Sequence, residues 1–258
     1  MKTRTTAILN LKGGVAKTTT AINMAAILAK MGHRVLLIDA DCQCNTTEFF
    51  GADPTSGNLA MVLRHANHPD PGQMAADCIQ HTEYDGIDIL PGDETLMDLD
   101  LSQVEQGTAN ANVIRQLVET VCSVYDYILV DCPPAFNAAS TAALVAADDV
   151  IIPIKLDAFS LRGMGNLMRQ VYNMHQINPS LQLAGYLPTM WYRSAQIEDA
   201  EKQLRAAGLP VYHHIRRSDK VDTMTWQQDP LLISSPHSGA SIDYKKFVAE
   251  YVGGVNHG

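Results

Sequence analysis

The chain has 258 residues, 46% hydrophobic and 18% charged, which is typical of an ordered globular protein and excludes a disordered one. Its net charge of −9 argues against a surface that is basic everywhere, although a local basic patch is compatible with it. The sequence has no apolar run near the roughly 18 residues of a membrane span and an odd number of irregularly spaced cysteines, and we expect no signal peptide. We therefore expect a cytoplasmic protein without a membrane partner.

Continuous apolar runs of strand length recur along the chain, as parallel strands covered on both faces require. The predicted strands are residues 6–10, 34–39, 87–90, 127–131, 150–154, 183–187 and 211–215. Helical spacing is found directly after the glycines at 13 and 14 and at 139–147, 161–174, 195–207 and 241–251. The irregular stretch 51–85 is expected to be an insertion of short helices over one edge of the sheet.

This alternation predicts an α/β fold, a doubly wound and mostly parallel sheet with helices on both faces. No linker-like stretch divides the chain, so residues 1–258 are expected to form a single domain. In such a sheet the ligand site lies beyond the carboxyl ends of the strands.

The first strand is followed by "NLKGGVAKTTT", which nearly fits the phosphate-binding loop G-x-x-x-x-G-K-[ST] but has Leu11 and Ala16 where that pattern has glycine. Gly13 and Gly14 allow a tight turn whose N–H groups approach a phosphate, while Lys17 and the helix N-terminus supply positive charge. Ala16 keeps its N–H group, and the cradle works with it provided that its dihedral angles are those of a right-handed helix.

Four polar side chains are expected to meet beside this loop. Thr18 can offer its hydroxyl to Mg²⁺. The second predicted strand leads to Asp39 and Asp41, and the strand in "YDYILVD" ends at Asp131. Parallel strands end at one edge, so the carboxylates converge on the loop, where a divalent cation or a water molecule would lie between them and a polyphosphate. A single strand-end aspartate is more often a cap, but three beside this loop indicate phosphoryl-transfer chemistry.

These motifs resemble those of the ParA/MinD ATPases. "KGGVAKTTTAINMAAILAKMGHRVLLIDAD" looks like their deviant Walker A motif with the strand after it, and "YDYILVDCPP" is similar to their Walker B strand. "VIIPIKLDAFSLRGM", "GYLPTM" and "DYKKFVAEY" continue the likeness in order. The loop lies close to the start of the sequence, so the chain most resembles the Soj-like ParA partition proteins without an N-terminal DNA-binding extension.

The resemblance implies a P-loop NTPase that binds ATP and Mg²⁺ and is a weak ATP hydrolase stimulated by a partner. It makes Lys12 the signature lysine, which reaches the nucleotide of the other subunit in an ATP-sandwich homodimer, and Asp41 the residue that orients the attacking water. It assigns Thr18, Asp39 and Asp131 to the metal. It assigns the nucleotide to Gly13, Gly14, Val15, Ala16, Lys17, Thr18 and Thr19.

One segment departs from the family. Where the family usually reads D-P-Q-G-N, this chain has Cys42, Gln43 and Cys44 after Asp41. Replacing proline and glycine alters the stiffness of this switch loop, which affects hydrolysis and its coupling to dimerisation. The two cysteines are interpreted as small packing residues, because no second Cys/His pair with the spacing of metal ligands lies nearby in the sequence.

The densest basic cluster, "HHIRRSDK", lies where the resemblance places a non-specific DNA-binding face, so Arg216, Arg217 and Lys220 are the candidate DNA contacts. The alternative interpretation of this cluster is an exposed turn before a helix. The implied partners are a second subunit, non-specific DNA and a ParB-like adaptor, which would place the protein at the nucleoid. Two other functions stay open: an ATP-dependent metabolic ligase of the same fold, and a positioning ATPase for a protein cargo.

Overall fold

The computed structural model describes residues 2–255, with the side chains of all of these except 159, 161, 162 and 255. In this part of the chain one sheet is formed by β1 (Arg4–Ile8), β2 (Val35–Asp39), β3 (Gln80–His81), β4 (Ile87–Leu90), β5 (Tyr127–Asp131), β6 (Asp149–Lys155) and β7 (Gln182–Thr189). Across the sheet the order is β3-β4-β2-β5-β1-β6-β7, and the strands pair in parallel except β3 with β4. The predicted α/β fold is confirmed.

Helices lie on both faces of this sheet. In chain order they are α1 (Lys17–Lys30), α2 (Asn45–Phe49), α3 (Leu59–Arg64), α4 (Pro71–Ala76), α5 (Leu101–Glu105), α6 (Val113–Val121), α7 (Ala138–Ala146), α8 (Ala158–Met174), α9 (Ala195–Ala206), α10 (Lys220–Gln227), α11 (Leu231–Ser234) and α12 (Gly239–Val255). Within residues 2–255 no helix is both long and apolar enough to span a membrane.

The central strands are buried on both faces, because their successive side chains enter two different cores. Leu36 and Ile38 of β2 lie in one core, with residues of α6, α7 and α8. Val35 and Leu37 lie in the other, with residues of α1 and α12. Burial on both faces explains why these strands are continuous apolar runs in the sequence.

The seventh predicted strand, 211–215, is wrong. Val211 and Arg216 each form only an isolated bridge, with Tyr186 and Trp191. Tyr212 N and Ile215 N donate to backbone oxygens of β7, so the segment follows this edge of the sheet. Between these bonds the side chains of His213 and His214 bond to acidic residues of α12 and α9, and no continuous ladder forms. The apolar pattern at 211–215 is therefore the pattern of a half-buried connection.

The first predicted strand is shifted, and several helices were missed. β1 ends at Ile8 because the Asn10 side chain bonds to Pro153 O (2.7 Å) and accepts from Lys12 N (2.9 Å), which starts the loop. Helices α2, α5, α6, α10 and α11 were not among the predicted helices. The short helices α3 and α4 and the edge strand β3 lie in residues 51–85, as expected for an insertion at one edge.

Negative charge is concentrated in one part of the fold. Between Arg64 and Arg115 the chain carries ten carboxylates and no lysine or arginine, so all 19 lysines and arginines lie elsewhere. This acidic segment, residues 65–114, includes β3 and β4 at one edge of the sheet. The cluster 213–220 lies beside β7 at the opposite edge, where Arg216 bridges to Trp191. The sheet therefore has an acidic segment at one edge and the cluster 213–220 at the other.

Candidate nucleotide-binding site

The loop between β1 and α1 forms an open cradle. A Cβ atom placed on Gly13 or Gly14 would meet no heavy atom within 4 Å, and Gly14 has a φ of +69°, which favours glycine. Val15 is buried and its carbonyl oxygen accepts from Thr189 Oγ1 (3.0 Å), which ties the loop to the end of β7. The loop is thus anchored to the sheet at Val15, while the space around Gly13 and Gly14 is open.

Ala16 corrects one expectation from the sequence. Its backbone is left-handed (φ 68°, ψ 36°), not right-handed as predicted. The residue stands directly before α1, and its carbonyl oxygen accepts from Thr20 N (3.0 Å) and Thr20 Oγ1 (2.7 Å). The chain therefore makes here the same turn for which the ordinary phosphate loop uses glycine, although a Cβ in this region costs roughly 1–2 kcal/mol.

Lys17 is buried at the start of α1, with its Nζ 3.5 Å from the carbonyl oxygen of Lys12. Burial lowers the pKa of Lys17, and the negative charges of Asp131 and Asp41 counteract this shift. A buried lysine at a helix N-terminus attracts an anion strongly, since little water screens its charge.

Two aspartates lie side by side at the carboxyl end of the sheet, because Asp39 and Asp131 are partners in the β2–β5 register. Asp131 Oδ2 accepts from Thr18 Oγ1 and from Thr46 Oγ1, both at 2.7 Å. Asp131 Oδ1 is buried and has no hydrogen-bond partner among the described residues. An orphaned carboxylate oxygen beside the Thr18 hydroxyl is the oxygen donor set that Mg²⁺ prefers. The residues present fit a metal–nucleotide site.

Asp39 is held by the protein on both of its oxygens. Oδ2 accepts from Thr47 N (2.8 Å) and Thr47 Oγ1 (2.7 Å), and Oδ1 accepts from Asp41 N (3.2 Å). Its predicted contact with the metal stays a prediction. Burial raises the pKa of Asp39 to about 7, with the Asp131 charge adding to the shift, and burial raises the pKa of Asp131 to about 6.

Asp41, the predicted water-orienting residue, lies just after β2 at the same edge. Its side chain is largely buried, and Oδ1 accepts from Gln43 N (3.0 Å). The structure therefore brings together the residues predicted for phosphate, metal and water. Thr46 and Thr47, which hold the two strand-end aspartates, were missed; their hydroxyls directly after the switch loop were the signal.

Lys12 lies near the start of the loop, and its side chain contacts residues of its own subunit. Its Nζ is 2.7 Å and 2.9 Å from the two carboxylate oxygens of Asp157 and 3.0 Å from Ser160 Oγ. Burial opposes any lowering of the pKa of Asp157, yet hydrogen bonds from Lys12 and Ser160 lower it to about 2. The role of Lys12 toward a second subunit stays a prediction, and it requires this ion pair to open.

One residue of the switch loop, Cys44, has a backbone conformation that favours glycine. Cys44 is left-handed (φ 51°, ψ 28°) and stands directly before α2. Burial raises the pKa of the Cys44 thiol to about 12, with contributions from nearby carboxylates including Asp39, so this thiol is a poor nucleophile. Among the described residues no group of three His, Cys, Asp or Glu side chains is placed to hold a metal ion. Cys42 packs against the core that contains Leu36 and Ile38, whereas the packing role of Cys44 stays a prediction.

A cavity of about 530 Å³ opens beside Ala16 and Thr19. Sequence reasoning did not assign it, although "GYLPTM" at the end of β7 was a signal. The cavity leads from the phosphate cradle toward the basic cluster and is large enough for a nucleoside. It is lined by Ala16, Thr19, Lys155, Thr189, Met190, Tyr192, Ile215, Arg216, Arg217, Ser218, Asp219, Val221, Asp222 and Tyr244.

The three cations predicted to contact DNA differ in their surroundings. Arg216 donates through Nε to Asp243 Oδ2 (2.7 Å) and through Nη2 to Oδ1 (2.9 Å), and the Asp243 side chain is only 1% exposed. Arg217 and Lys220 are exposed, and neither has an ion pair with another described residue. The charge of Arg216 is therefore largely neutralised by Asp243, whereas the side chains of the other two face solvent. All three assignments stay predictions.

Comparisons with known proteins identify the family of the chain. A family model described as an AAA domain matches residues 3–183. The chain is 33% identical to the chromosome partitioning protein ParA of Caulobacter vibrioides, over 96% of this chain and 94% of that protein. It is 31% identical to the sporulation initiation inhibitor protein Soj of Bacillus subtilis, over 92% and 88% of the two chains.

A Mycobacterium smegmatis protein, described as cobyrinic acid a,c-diamide synthase with bound ADP and magnesium, superposes with a TM-score of 0.80 at 28% identity and covers 98% of this chain and 96% of its own. The family model spans more than half of the chain, and a ParA protein is 33% identical over nearly its whole length. The chain therefore belongs to the ParA/MinD-type P-loop ATPases.

Proposed function

We propose that this protein is an ATP-driven switch of the ParA type, which partitions or positions a DNA element such as a plasmid, a chromosome or a mobile element. ATP and Mg²⁺ are its nucleotide and metal. One observation carries the proposal: the Thr18 hydroxyl at the end of the phosphate loop donates to Asp131, whose other oxygen is buried and unpartnered among the described residues. A carboxylate in this state is suited to a cation beside a nucleotide.

The chain's own residues divide the work between binding and chemistry. The N–H groups of residues 13–19 and the buried Lys17 bind the phosphates, and Thr18 and Asp131 hold the metal side of the site. When bound, Mg²⁺ neutralises phosphate charge. Asp41 orients the attacking water and accepts its proton. Asp39 keeps the end of β2 and the start of α2 in place through its bonds to Thr47.

The switch acts on a second subunit and on DNA. In the ATP state Lys12 leaves Asp157 and reaches the nucleotide of the partner subunit, which closes a sandwich homodimer. Arg217 and Lys220, which are exposed, then bind DNA phosphates without sequence preference, and two subunits double these contacts. A ParB-like adaptor bound to the cargo stimulates the weak hydrolysis and releases the dimer. The protein works in the cytoplasm, on the nucleoid.

DNA retention tests this function. Retention on non-specific duplex DNA is measured at moderate salt with ATP, with ADP and without nucleotide, for the wild type and for Lys17→Ala. We expect retention only with ATP and only in the wild type, because Lys17→Ala removes the buried phosphate-binding cation. Equal retention in the three states would contradict the switch.

A variant of Asp41 tests the chemical step separately. Asp41→Ala is expected to bind ATP and to stay on DNA longer, because hydrolysis is lost while the phosphate cradle is intact. Normal ATP hydrolysis by this variant would refute the assignment of Asp41.

A metabolic ligase is the second candidate, favoured by the 28% identity to the protein described as a diamide synthase. Such an enzyme would amidate or carboxylate an organic acid with ATP. ATP turnover that depends on a small acid, together with no retention on DNA in any nucleotide state, would support it. A positioning ATPase for a protein cargo would instead be indicated by the adaptor that co-purifies.

A further inference from the structure

Asp131 is held by two elements at once. Its Oδ2 atom accepts from Thr18 Oγ1 at the start of α1 and from Thr46 Oγ1 in α2, each at 2.7 Å. All of these groups lie at the carboxyl edge of the sheet, and Thr46 and Asp131 are fully buried. One carboxylate oxygen is thus the shared acceptor of the phosphate loop and the switch helix.

The two bonds fix how the carboxylate faces the site. An ionised carboxylate oxygen has two lone-pair directions, and both on Oδ2 are used by hydroxyl donors. The carboxyl plane therefore cannot rotate without breaking one of these bonds, and the unpartnered Oδ1 is kept in a single orientation. Without the Thr46 hydroxyl, one constraint is lost and Oδ1 has more than one position available.

We propose that Thr46 is a positioning residue: its hydroxyl orients Asp131 for the metal and thereby links the switch helix α2 to the metal–nucleotide site. The inference rests on the proposed function, because it takes Mg²⁺–ATP as the ligand. Thr47 completes the link from the neighbouring strand, since it bonds to Asp39 and accepts from Gly92 N (2.8 Å). Consecutive hydroxyls thus dock α2 on β5 and β2.

Metal dependence of nucleotide binding tests the role of Thr46. Binding of a fluorescent ATP analogue is measured while Mg²⁺ is titrated, and again in EDTA, for the wild type, Thr46→Val and Thr46→Ser. We expect Thr46→Val to raise the half-saturating Mg²⁺ concentration about tenfold, as loss of a residue that orients a metal ligand does. Binding in EDTA is unchanged, and Thr46→Ser restores the wild-type value because it keeps the hydroxyl.

Thr5→Val is the matched control. Thr5 is a fully buried threonine in β1 whose hydroxyl has no hydrogen-bond partner among the described residues, so its loss changes packing but not the site. A Mg²⁺ requirement that is the same in Thr46→Val as in Thr5→Val would overturn the inference. Failure of the wild type to bind ATP with Mg²⁺ would instead refute the proposed function.

A second measurement needs no variant and decides the case if Thr46→Val does not fold. Hydrogen exchange of peptides covering α2 is compared in the wild type with ATP plus Mg²⁺ and with ATP plus EDTA. We expect slower exchange with Mg²⁺, because the metal fixes Asp131 and hence Thr46. Identical exchange in the two conditions would overturn the proposed link.

Discussion

At the scale of the residue, Ala16 carries a Cβ in a backbone conformation that disfavours one (φ 68°). Ala16→Gly is expected to raise the free energy of unfolding by about 0.5–1 kcal/mol. The relief of the left-handed strain, roughly 1–2 kcal/mol, exceeds the entropy that glycine adds to the unfolded chain, about 0.4–1 kcal/mol. Urea denaturation of the nucleotide-free protein measures the change.

Gly14→Ala is the control for Ala16→Gly, because Gly14 has a similar φ of +69° and also has open space around it. We expect it to lower the free energy of unfolding. A loss of stability in Ala16→Gly would mean that the Cβ of Ala16 contributes packing that outweighs its strain.

Asp131 gives a prediction about pH. Burial raises its pKa to about 6 in the folded protein, above the ordinary value near 3.8, so the folded state binds this proton more tightly than the unfolded state. Its contribution to stability is therefore full at pH below about 4 and is lost as the pH rises through about 6. Asp131→Asn removes the buried charge while keeping an acceptor for both threonine hydroxyls.

Thermal denaturation in EDTA between pH 4 and 8 checks this prediction. We expect Asp131→Asn to be more stable than the wild type at pH 8, by about 3 kcal/mol, with the difference shrinking toward pH 4. A difference that does not change with pH would show that the charge of Asp131 is not its cause. The same variant is expected to lose the Mg²⁺ dependence of ATP binding, because the carboxylate that lowers stability is also the one assigned to the metal.

At the scale of elements, we expect Arg216 to stabilise the fold and the adjacent Arg217 to contribute to DNA binding. Arg216 joins the segment after β7 to α12 through Asp243, whose side chain is 1% exposed. Arg216→Ala is expected to lower the free energy of unfolding by about 2 kcal/mol, because it leaves a buried carboxylate with less compensation, although Arg216 itself is partly exposed. Arg217→Ala is expected to leave stability unchanged and to weaken ATP-dependent DNA retention.

Urea denaturation and DNA retention of the two variants, measured side by side, test this division. If Arg217→Ala destabilises as much as Arg216→Ala, the exposed arginine also has a structural role. If neither variant changes retention, the basic cluster is the exposed turn that the alternative interpretation describes.

Features that depend on hydrophobic period and on topology can be predicted well from the sequence. β4 and β5 were predicted at their observed bounds, and Asp39, Asp41 and Asp131 were expected at one edge because parallel strands end together. The handedness of Ala16 was wrong, because it depends on how the loop enters α1. The partner of Arg216 lies 27 residues away in α12, and a charge pattern does not name its counter-ion.

At the scale of the whole molecule, the salt dependence of DNA binding reports how many subunits bind. Each phosphate contact lowers the slope of log affinity against log salt by about one. Lys220→Ala is therefore expected to make this slope shallower by about two if a dimer binds, and by about one if a monomer does. Lys30→Ala is the control, because Lys30 is exposed at the end of α1 away from the phosphate loop.

Retention titrations from about 50 to 200 mM salt, with ATP, measure the slope. An unchanged slope for Lys220→Ala would remove this residue from the DNA-binding surface. A change of about one would contradict the sandwich dimer as the DNA-bound form.

The uneven distribution of charge across the sheet affects how the protein is oriented while it diffuses toward DNA. Ten carboxylates without a lysine or arginine lie in residues 65–114, which include one edge, and the cluster 213–220 lies beside the other. Such a layout is a permanent electric dipole, and a dipole near a long polyanion experiences a torque. The field of DNA would turn the acidic edge outward and the edge with the cluster 213–220 inward during approach, so that orientation is selected in solution before binding begins.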